Sequence, residues 1–113
     1  MKPGEIYWVD LVTGRRPGIV VSRESLNQGN YVVMVLCTTR RLAVRSKLAN
    51  CVPFRVGEFG MPSDCVAQCE AIYALDKGEI DIASGTIGRL DAPRLRDVIK
   101  AVGDVIDSDC EPN

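Results

Sequence analysis

The sequence predicts a mainly β fold: a small antiparallel barrel or curled sheet with one helix at its C-terminal end. Two observations carry this prediction. Residues 1–87 contain several short β-rich runs, which are separated by turn residues such as glycine, proline and asparagine. The residues that follow contain the clearest segment with apolar side chains at helical spacing. Short strands with tight turns and a terminal helix are typical of a curled sheet that packs the helix against one side.

The strongest strand signals lie in the first third of the chain. Residues 5–11 are aromatic and roughly alternating, and Trp8 among them is expected to anchor the core. Residues 18–22 form a continuous apolar run, which indicates a buried strand. Residues 31–37 are long and β-branched, so they predict the best-formed strand of the chain.

The middle of the chain predicts weaker elements. Residues 38–50 are polar and basic, and they indicate a loop or an irregular hairpin. Residues 51–56 indicate a strand at a sheet edge, because Pro53 has no N–H to donate to a ladder. Residues 64–73 predict a further strand, and residues 79–87 predict a last short one.

The C-terminal helix has the clearest signal of all. Asp91 is a suitable N-cap for a helix over about residues 91–107. One domain is therefore expected over residues 1–107, and residues 108–113 are expected to form an acidic tail. Apolar side chains at helical spacing predict the face that packs on the sheet. They are Leu95, Val98, Ile99, Val102 and Ile106.

Composition excludes several classes of protein. A chain of 113 residues with 46% hydrophobic content is ordinary for one globular domain. No apolar run approaches the roughly 18 residues that a membrane span needs. The N-terminal residues lack the apolar core of a signal peptide, so a cytoplasmic location is expected.

The five cysteines match no disulfide framework and are expected to be reduced core residues. Cys65 and Cys69 are close in sequence, but their spacing differs from that of zinc knuckles. A metal-binding or redox protein built on this pair is one alternative function. No metal and no cofactor are expected otherwise.

The absence of histidine limits the chemistry that is available to the chain. It excludes the imidazole groups that most often transfer protons when RNA is hydrolysed. An arginine beside hydroxyl groups can still hold a phosphate and stabilise charge on it. Arg16, in an Arg-Pro turn, and the pair Thr38 and Thr39 lie at compatible ends of two neighbouring predicted strands. The alternative is a surface arginine near threonines that only favour β structure.

Positive charge is concentrated in two short loops, although the net charge is −1. Such a patch suits a protein that binds a few phosphates, and a solvated loop is the alternative. Glu70 is either a desolvated base with a raised pKa or an outward-facing strand residue. The basic residues are Arg15, Arg16, Arg40, Arg41, Arg45 and Lys47.

Five motifs follow one another along nearly the whole chain. They are GEIYWVDL, GRRPGIVVS, VLCTT, PSDCVAQCEAIYALDK and IGRL, the last followed by the closing helix. Their succession resembles the MazF/PemK family of toxins from toxin–antitoxin systems. The order of the motifs is more specific than any one of them.

The resemblance implies an SH3-like barrel with a C-terminal helix, and a homodimeric, metal-independent endoribonuclease. Such toxins cut single-stranded RNA, chiefly mRNA, at short sequences, and leave a 2′,3′-cyclic phosphate and a 5′-hydroxyl. A cognate antitoxin neutralises them. A non-catalytic toxin of the same fold that binds a protein such as DNA gyrase is the alternative function.

Carried onto this sequence, the family's catalytic arginine falls on Arg16, its threonine on Thr38 and its acidic residue on Glu70. Arg16 would neutralise charge on the phosphorane, and Thr38 would hydrogen-bond the phosphate. The loop before Arg16 is shorter than in many relatives, and Cys-Glu-Ala replaces their Cys-Asp-Gln segment. The expected RNA-binding residues are Arg15, Thr39, Arg40, Arg41, Arg45, Lys47 and Gln68.

Overall fold

The fold is a curled antiparallel sheet with a helix packed across it. The computed structural model describes residues 1–107. Within them the strands are β1 (Glu5–Leu11), β2 (Gly14–Val20), β3 (Tyr31–Thr38), β4 (Cys51–Phe54), β5 (Cys65–Asp76) and β6 (Gly88–Arg89), and the α-helices are α1 (Leu42–Arg45) and α2 (Ala92–Asp107). The order across the sheet is β4-β5-β3-β2-β1-β6, and all neighbours are antiparallel. The predicted mainly β fold with a terminal helix is confirmed.

The sheet bends within β5, the longest strand, which pairs with both β3 and β4. Val35 of β3 pairs with Ile72, whereas Cys37 pairs with Ala67. Residues 68–71 therefore bulge out of the ladder with β3. Extra residues on one strand bend it and increase the local twist. The bulge is where the sheet curls, and it later decides where Glu70 lies.

The core divides into two clusters of buried side chains. One contains Ile19 and Val35 and lies beneath α2, which contributes Val98. The other contains Val20 and Met34. Neighbouring residues of β2 and β3 enter different clusters because successive side chains of a strand point to opposite faces of the sheet. The sheet is therefore covered on both faces.

Helix α2 begins where the sequence predicts, because the Asp91 side chain accepts a backbone N–H of the first turn at 3.0 Å. It packs on β4 and β5, with Val98 fully buried. The predicted apolar face is only partly right: Ile99 is 44% exposed and Ile106 is 65% exposed, whereas Ala101 is buried. The face of α2 that packs on the sheet therefore includes Val98 and Ala101 and leaves Ile99 and Ile106 outside.

Residues 79–87 do not form the predicted strand. Ile80 makes a single bridge to Val9 of β1. The Asp81 carboxylate then accepts hydrogen bonds from the backbone N–H and the hydroxyl of Ser84, at 3.1 and 2.7 Å. Such side-chain hydrogen bonds close a turn in place of a ladder. Pairing with β1 resumes only at β6.

The basic segment after β3 contains the short helix α1, although the sequence predicts a loop or an irregular hairpin for residues 38–50. Arg41 precedes the helix with a φ of 54°, in the left-handed region. The Arg45 N–H donates to the Arg41 carbonyl at 2.9 Å. A helix of four residues is too short to produce an apolar periodicity, so the sequence pattern does not predict it.

The described cysteines are free and buried, as the composition predicts. They are Cys37, Cys51, Cys65 and Cys69; Cys110 and the predicted tail lie outside the described residues. Within residues 1–107, no group of three or more Cys, Asp or Glu side chains is arranged to hold a metal ion. The same part of the chain contains no helix that is long and apolar enough to cross a membrane.

Candidate active site

A cleft opens where β2 and β3 stop pairing. Their ladder ends at Gly18 and Leu36. Continued by two residues, the same register would set Arg16 opposite Thr38, and opposite residues of an antiparallel pair share one face of the sheet. The strands separate instead, and a cleft of about 430 Å³ lies there. It is lined by Trp8, Thr13, Gly14, Arg15, Arg16, Pro17, Cys37, Thr38, Thr39, Arg40, Pro62 and Ser63.

Arg16 presents a free guanidinium to this cleft. The residue is half-buried. Among residues 1–107 its side chain forms no salt bridge and no hydrogen bond. A partly desolvated positive charge without a partner attracts an anion more strongly than a solvated one. Arg16 therefore has the charge and the position of a phosphate-binding group.

Arg15 also lines the cleft, but carboxylates already hold it. Its Nη1 lies 3.0 Å from Oδ1 of Asp10, and its Nη2 lies 2.7 Å from Oδ2 of Asp81. The hydrogen bond to Asp81 is the main cause that raises the pKa of Arg15. Its guanidinium also lies over the Trp8 ring, 5.0 Å from the centroid. The two adjacent arginines therefore differ, because only Arg16 offers an unpaired charge.

Thr38 lies at the end of β3, on the other wall of the cleft. Its side chain is buried, and its Oγ1 accepts a hydrogen bond from the backbone N–H of Arg40 at 3.2 Å. Because the nitrogen supplies that hydrogen, the hydroxyl hydrogen remains available to a phosphate oxygen. Thr39 and Arg40 line the same cleft and are exposed. The cleft thus brings together Arg15, Arg16, Thr38, Thr39 and Arg40.

Cys37 also borders the cleft, and its side chain belongs to the buried cluster that contains Ile19 and Val35. Its hydrogen bond to Cys65, together with burial, raises the pKa of Cys37 well above its usual range. The positive charge of Arg16 acts in the opposite direction with less effect. A thiol that stays neutral at pH 7 is a poor nucleophile. We therefore assign Cys37 to packing.

Glu70 does not line this cleft, because it lies in the bulge of β5. The Asn50 amide donates to its Oε1 at 2.8 Å, and the Gln68 amide donates to its Oε2 at 2.9 Å. Desolvation raises the pKa of Glu70, but the hydrogen bonds from Gln68, its own backbone and Asn50, with the charge of Arg45, outweigh it and lower the pKa. Of the two alternatives for Glu70, the outward-facing strand residue therefore fits its exposed position and lowered pKa, and the base with a raised pKa does not.

We predict that Glu70→Gln leaves the pH profile of catalysis unchanged. A carboxylate with a lowered pKa is already ionised well below neutrality, so it does not titrate between about pH 6 and about pH 8. The rate should fall by less than about tenfold, whereas loss of a general base costs roughly 10²-fold or more. Rates measured across that range test this. An inflection that is present in the wild type and absent in the variant would contradict it.

The other predicted RNA-binding residues form a basic surface around α1, the α1 surface, made of Arg41, Arg45 and Lys47. Arg41 and Lys47 are exposed. Arg45 is half-buried, and its Nη1 has no hydrogen-bond partner among the described residues. Its charge acts on the Glu70 carboxylate. The α1 surface is thus next to the Glu70 group, and it follows Arg40 directly in the chain.

The comparison with protein families decides which family this is. Residues 2–106 match the model of the family described as PemK-like, MazF-like toxin of type II toxin-antitoxin system. The match covers nearly the whole chain, and it includes every residue of the cleft and of the α1 surface. The chain belongs to this family of toxins. No curated protein sequence matches it.

Solved structures have the same fold as this toxin. The Mycobacterium tuberculosis toxin MazF-mt6 is 22% identical with a TM-score of 0.75, over 91% of this chain and 96% of that one. An endoribonuclease in complex with its cognate antitoxin, from a mycobacterial species, is 21% identical with a TM-score of 0.78, over 99% of each chain. A chain of a MazE-MazF crystal structure from Deinococcus radiodurans is 19% identical with a TM-score of 0.73, over 95% of each chain.

Sequence reasoning missed several residues that line the cleft of this toxin. Trp8 is half-buried and borders the cleft, so the expectation that it anchors the core is wrong. Pro62 and Ser63 reach the cleft from the turn before β5. The alternation in β1 gives no signal for Trp8, because it places Trp8 on the same face of the strand as Ile6, which is fully buried.

Proposed function

We propose that this toxin is a sequence-specific endoribonuclease. In this proposal it cuts single-stranded RNA, chiefly mRNA, without a metal ion, and it leaves a 2′,3′-cyclic phosphate and a 5′-hydroxyl. It acts as a homodimer in the cytoplasm, and a cognate antitoxin neutralises it. The observation that carries the proposal is the unpaired guanidinium of Arg16 in one cleft with the buried hydroxyl of Thr38.

The reaction uses groups of the RNA itself. The ribose 2′-hydroxyl gives up its proton to water as its oxygen attacks the neighbouring phosphorus, the bond from phosphorus to the 5′-oxygen breaks, and the 5′-oxygen takes up a proton from water. Negative charge grows on the phosphoryl oxygens as the new bond forms. Arg16 stabilises that charge, and the Thr38 hydroxyl donates a hydrogen bond to the same phosphate. Since the nucleophile comes from the ribose, the protein need not supply one.

Family membership and the solved relatives support the substrate and the partner. The mycobacterial relative is an endoribonuclease bound to its cognate antitoxin, and the Deinococcus radiodurans relative is a complex of MazF with MazE. We infer the same two classes of partner here, single-stranded RNA and an antitoxin protein. The α1 surface supplies the remaining positive charge for the RNA backbone.

Glu70 and Gln68 have a supporting role in this proposal. Both acceptor oxygens of Glu70 are taken by Asn50 and Gln68, so Glu70 orients these two amides. Amide side chains hydrogen-bond the edges of unpaired bases. We therefore assign Gln68 to base contact and Glu70 to holding it in position.

Mapping of RNA ends after brief induction tests the proposed function. New 5′-hydroxyl ends at one short sequence are expected in cells that express the wild type, and a co-expressed antitoxin should suppress them. Cleavage by the purified protein should continue in EDTA. Growth arrest with intact RNA would contradict the proposal. If DNA damage accompanied that arrest, a toxin that binds a protein such as DNA gyrase would be the better assignment.

Replacing Thr38 by valine removes the hydroxyl and retains the shape of the side chain. We expect the cleavage rate to fall roughly 10²-fold, because a phosphate loses a preorganised donor in the transition state. The free energy of unfolding should fall by about 1 kcal/mol, since the Arg40 N–H loses its acceptor. Single-turnover cleavage and denaturant unfolding measure the two effects. Thr39→Val is the matched control: its exposed hydroxyl is expected to change the rate by at most about tenfold.

A further inference from the structure

Trp8, the chain's one tryptophan, borders the cleft rather than the core. It belongs to neither of the two buried clusters. On β1 it pairs with Pro17, the neighbour of Arg16. Its side chain therefore points to the face of the sheet opposite that of Arg16, and its half-buried indole reaches the same cleft where β3 has separated from β2. An aromatic ring kept partly open at a phosphate site needs a role other than burial.

The Arg15 guanidinium lies over the Trp8 ring and is itself held by two carboxylates. The Arg15 guanidinium lies 5.0 Å from the ring centroid, within the range of a cation–π contact. Asp10 and Asp81 hold that guanidinium at 3.0 and 2.7 Å. Ser84 in turn donates to Asp81 at 2.7 Å. This indole and guanidinium pair, here called the Trp8–Arg15 layer, is thus preorganised at the cleft that both residues line.

The charge of the layer indicates what it can bind. Because two carboxylates compensate Arg15, the layer has little net attraction for a phosphate, in contrast to Arg16 beside it. A flat aromatic and guanidinium surface is instead suited to stack an unpaired base. Double-stranded nucleic acid does not offer such a face, since its bases are stacked on one another.

We propose that the Trp8–Arg15 layer stacks an unpaired base of the RNA beside the phosphate held by Arg16 and Thr38. This inference rests on the proposed function, and it gives that function its preference for single strands. Stacking places the neighbouring phosphate within the cleft, so the layer acts as a positioning site. It does not touch the reacting atoms.

Tryptophan fluorescence tests this directly, because Trp8 is the only source of indole emission. The probe is a random-sequence 12-nucleotide 2′-O-methyl RNA, which lacks the 2′-hydroxyl and is therefore not cut. The control probe is an abasic ribose-phosphate strand of the same length. Both strands are also prepared with a fluorescein label, and their binding to the protein is measured in a separate experiment by fluorescence anisotropy. We expect the base-bearing strand to quench Trp8 and the abasic strand to leave its emission unchanged.

Two variants complete the test. Trp8→Phe keeps an aromatic face and should bind the RNA probe within about threefold of the wild type. Trp8→Leu should bind roughly 5- to 100-fold more weakly. The matched control is Tyr31→Leu, which removes an exposed aromatic ring outside the cleft and should bind like the wild type. Thermal melts check that each variant is folded, and the quenching result uses the wild type alone.

The outcomes separate the two proposals. The stacking site would be overturned if anisotropy showed RNA binding while Trp8 was not quenched. It would also be overturned if Trp8→Leu bound the RNA as tightly as the wild type. Either result would leave the endoribonuclease proposal intact. Absence of both RNA binding and RNA cleavage would overturn the endoribonuclease proposal, and the stacking site would fall with it. Equal quenching by the abasic strand would mean that the backbone, not a base, contacts Trp8.

Discussion

Replacing Arg16 by alanine is expected to lower the rate of RNA cleavage by about 10²- to 10³-fold. The variant should remain as stable as the wild type, because the Arg16 side chain has no hydrogen bond or salt bridge among the described residues. The expected loss lies in the chemical step, where the guanidinium stabilises charge that develops on the phosphoryl oxygens. Single-turnover cleavage of a short RNA and thermal unfolding measure the two quantities.

Two further variants sharpen the Arg16 experiment. Arg16→Lys retains the charge without the planar pair of donors, so its rate should lie between those of the wild type and Arg16→Ala. Arg23→Ala removes an exposed arginine that does not line the cleft, and it should cleave like the wild type. Cleavage by Arg16→Ala at the wild-type rate would show that the cleft is not the active site.

Replacing Gly88 by alanine is expected to lower the free energy of unfolding by about 3 kcal/mol. A Cβ atom at Gly88 would lie 1.7 Å from the Phe59 carbonyl oxygen, and one at Gly60 would lie 2.1 Å from the Ile87 carbonyl oxygen. The two backbone segments thus approach one another at glycines, and neither can accept a methyl group without moving. For a domain of this size the melting temperature should fall by roughly 10 to 20 °C.

Gly103→Ala is the matched control for Gly88→Ala. Gly103 lies inside α2, and a Cβ atom added there meets no atom within 4 Å. Alanine at this position should raise the free energy of unfolding by about 0.5–1 kcal/mol, because glycine loses more backbone entropy in a helix. Both variants are compared by the same thermal melt. A Gly88→Ala melt at or above that of the wild type would contradict the close approach.

Local patterns predicted the parts of the fold that depend on local interactions. Alternation and β-branching predicted β1 and β3, and Asp91 predicted the start of α2. The same approach failed for residues 79–87, where hydrogen bonds between Asp81 and Ser84 replace a ladder. It also failed for Ile99 and Ile106, because the spacing of apolar residues does not tell how wide a stripe the sheet covers.

The candidate site was predicted in part. Arg16 and Thr38 follow from the motif order, and the register of β2 and β3 sets them at one cleft. Trp8 was assigned to the core because a single tryptophan is usually buried. Only the structure shows that Trp8 lines the cleft. The family resemblance groups Glu70 with Arg16 and Thr38 as a catalytic residue. In the structure Glu70 lies in the bulge of β5 and does not line the cleft.

The sequence by itself determined a mainly β fold with a terminal helix, chemistry without histidine, and the choice of an arginine and a threonine as candidates. Only the tertiary structure decided which arginine has a free charge. Arg15 and Arg16 have the same chemistry, but Arg15 is held by Asp81, which lies 66 residues further along the chain. Strand and helix signals arise between near neighbours, so they can be read locally. Charge pairing depends on which distant residues the fold brings within about 4 Å, and no local pattern carries that information.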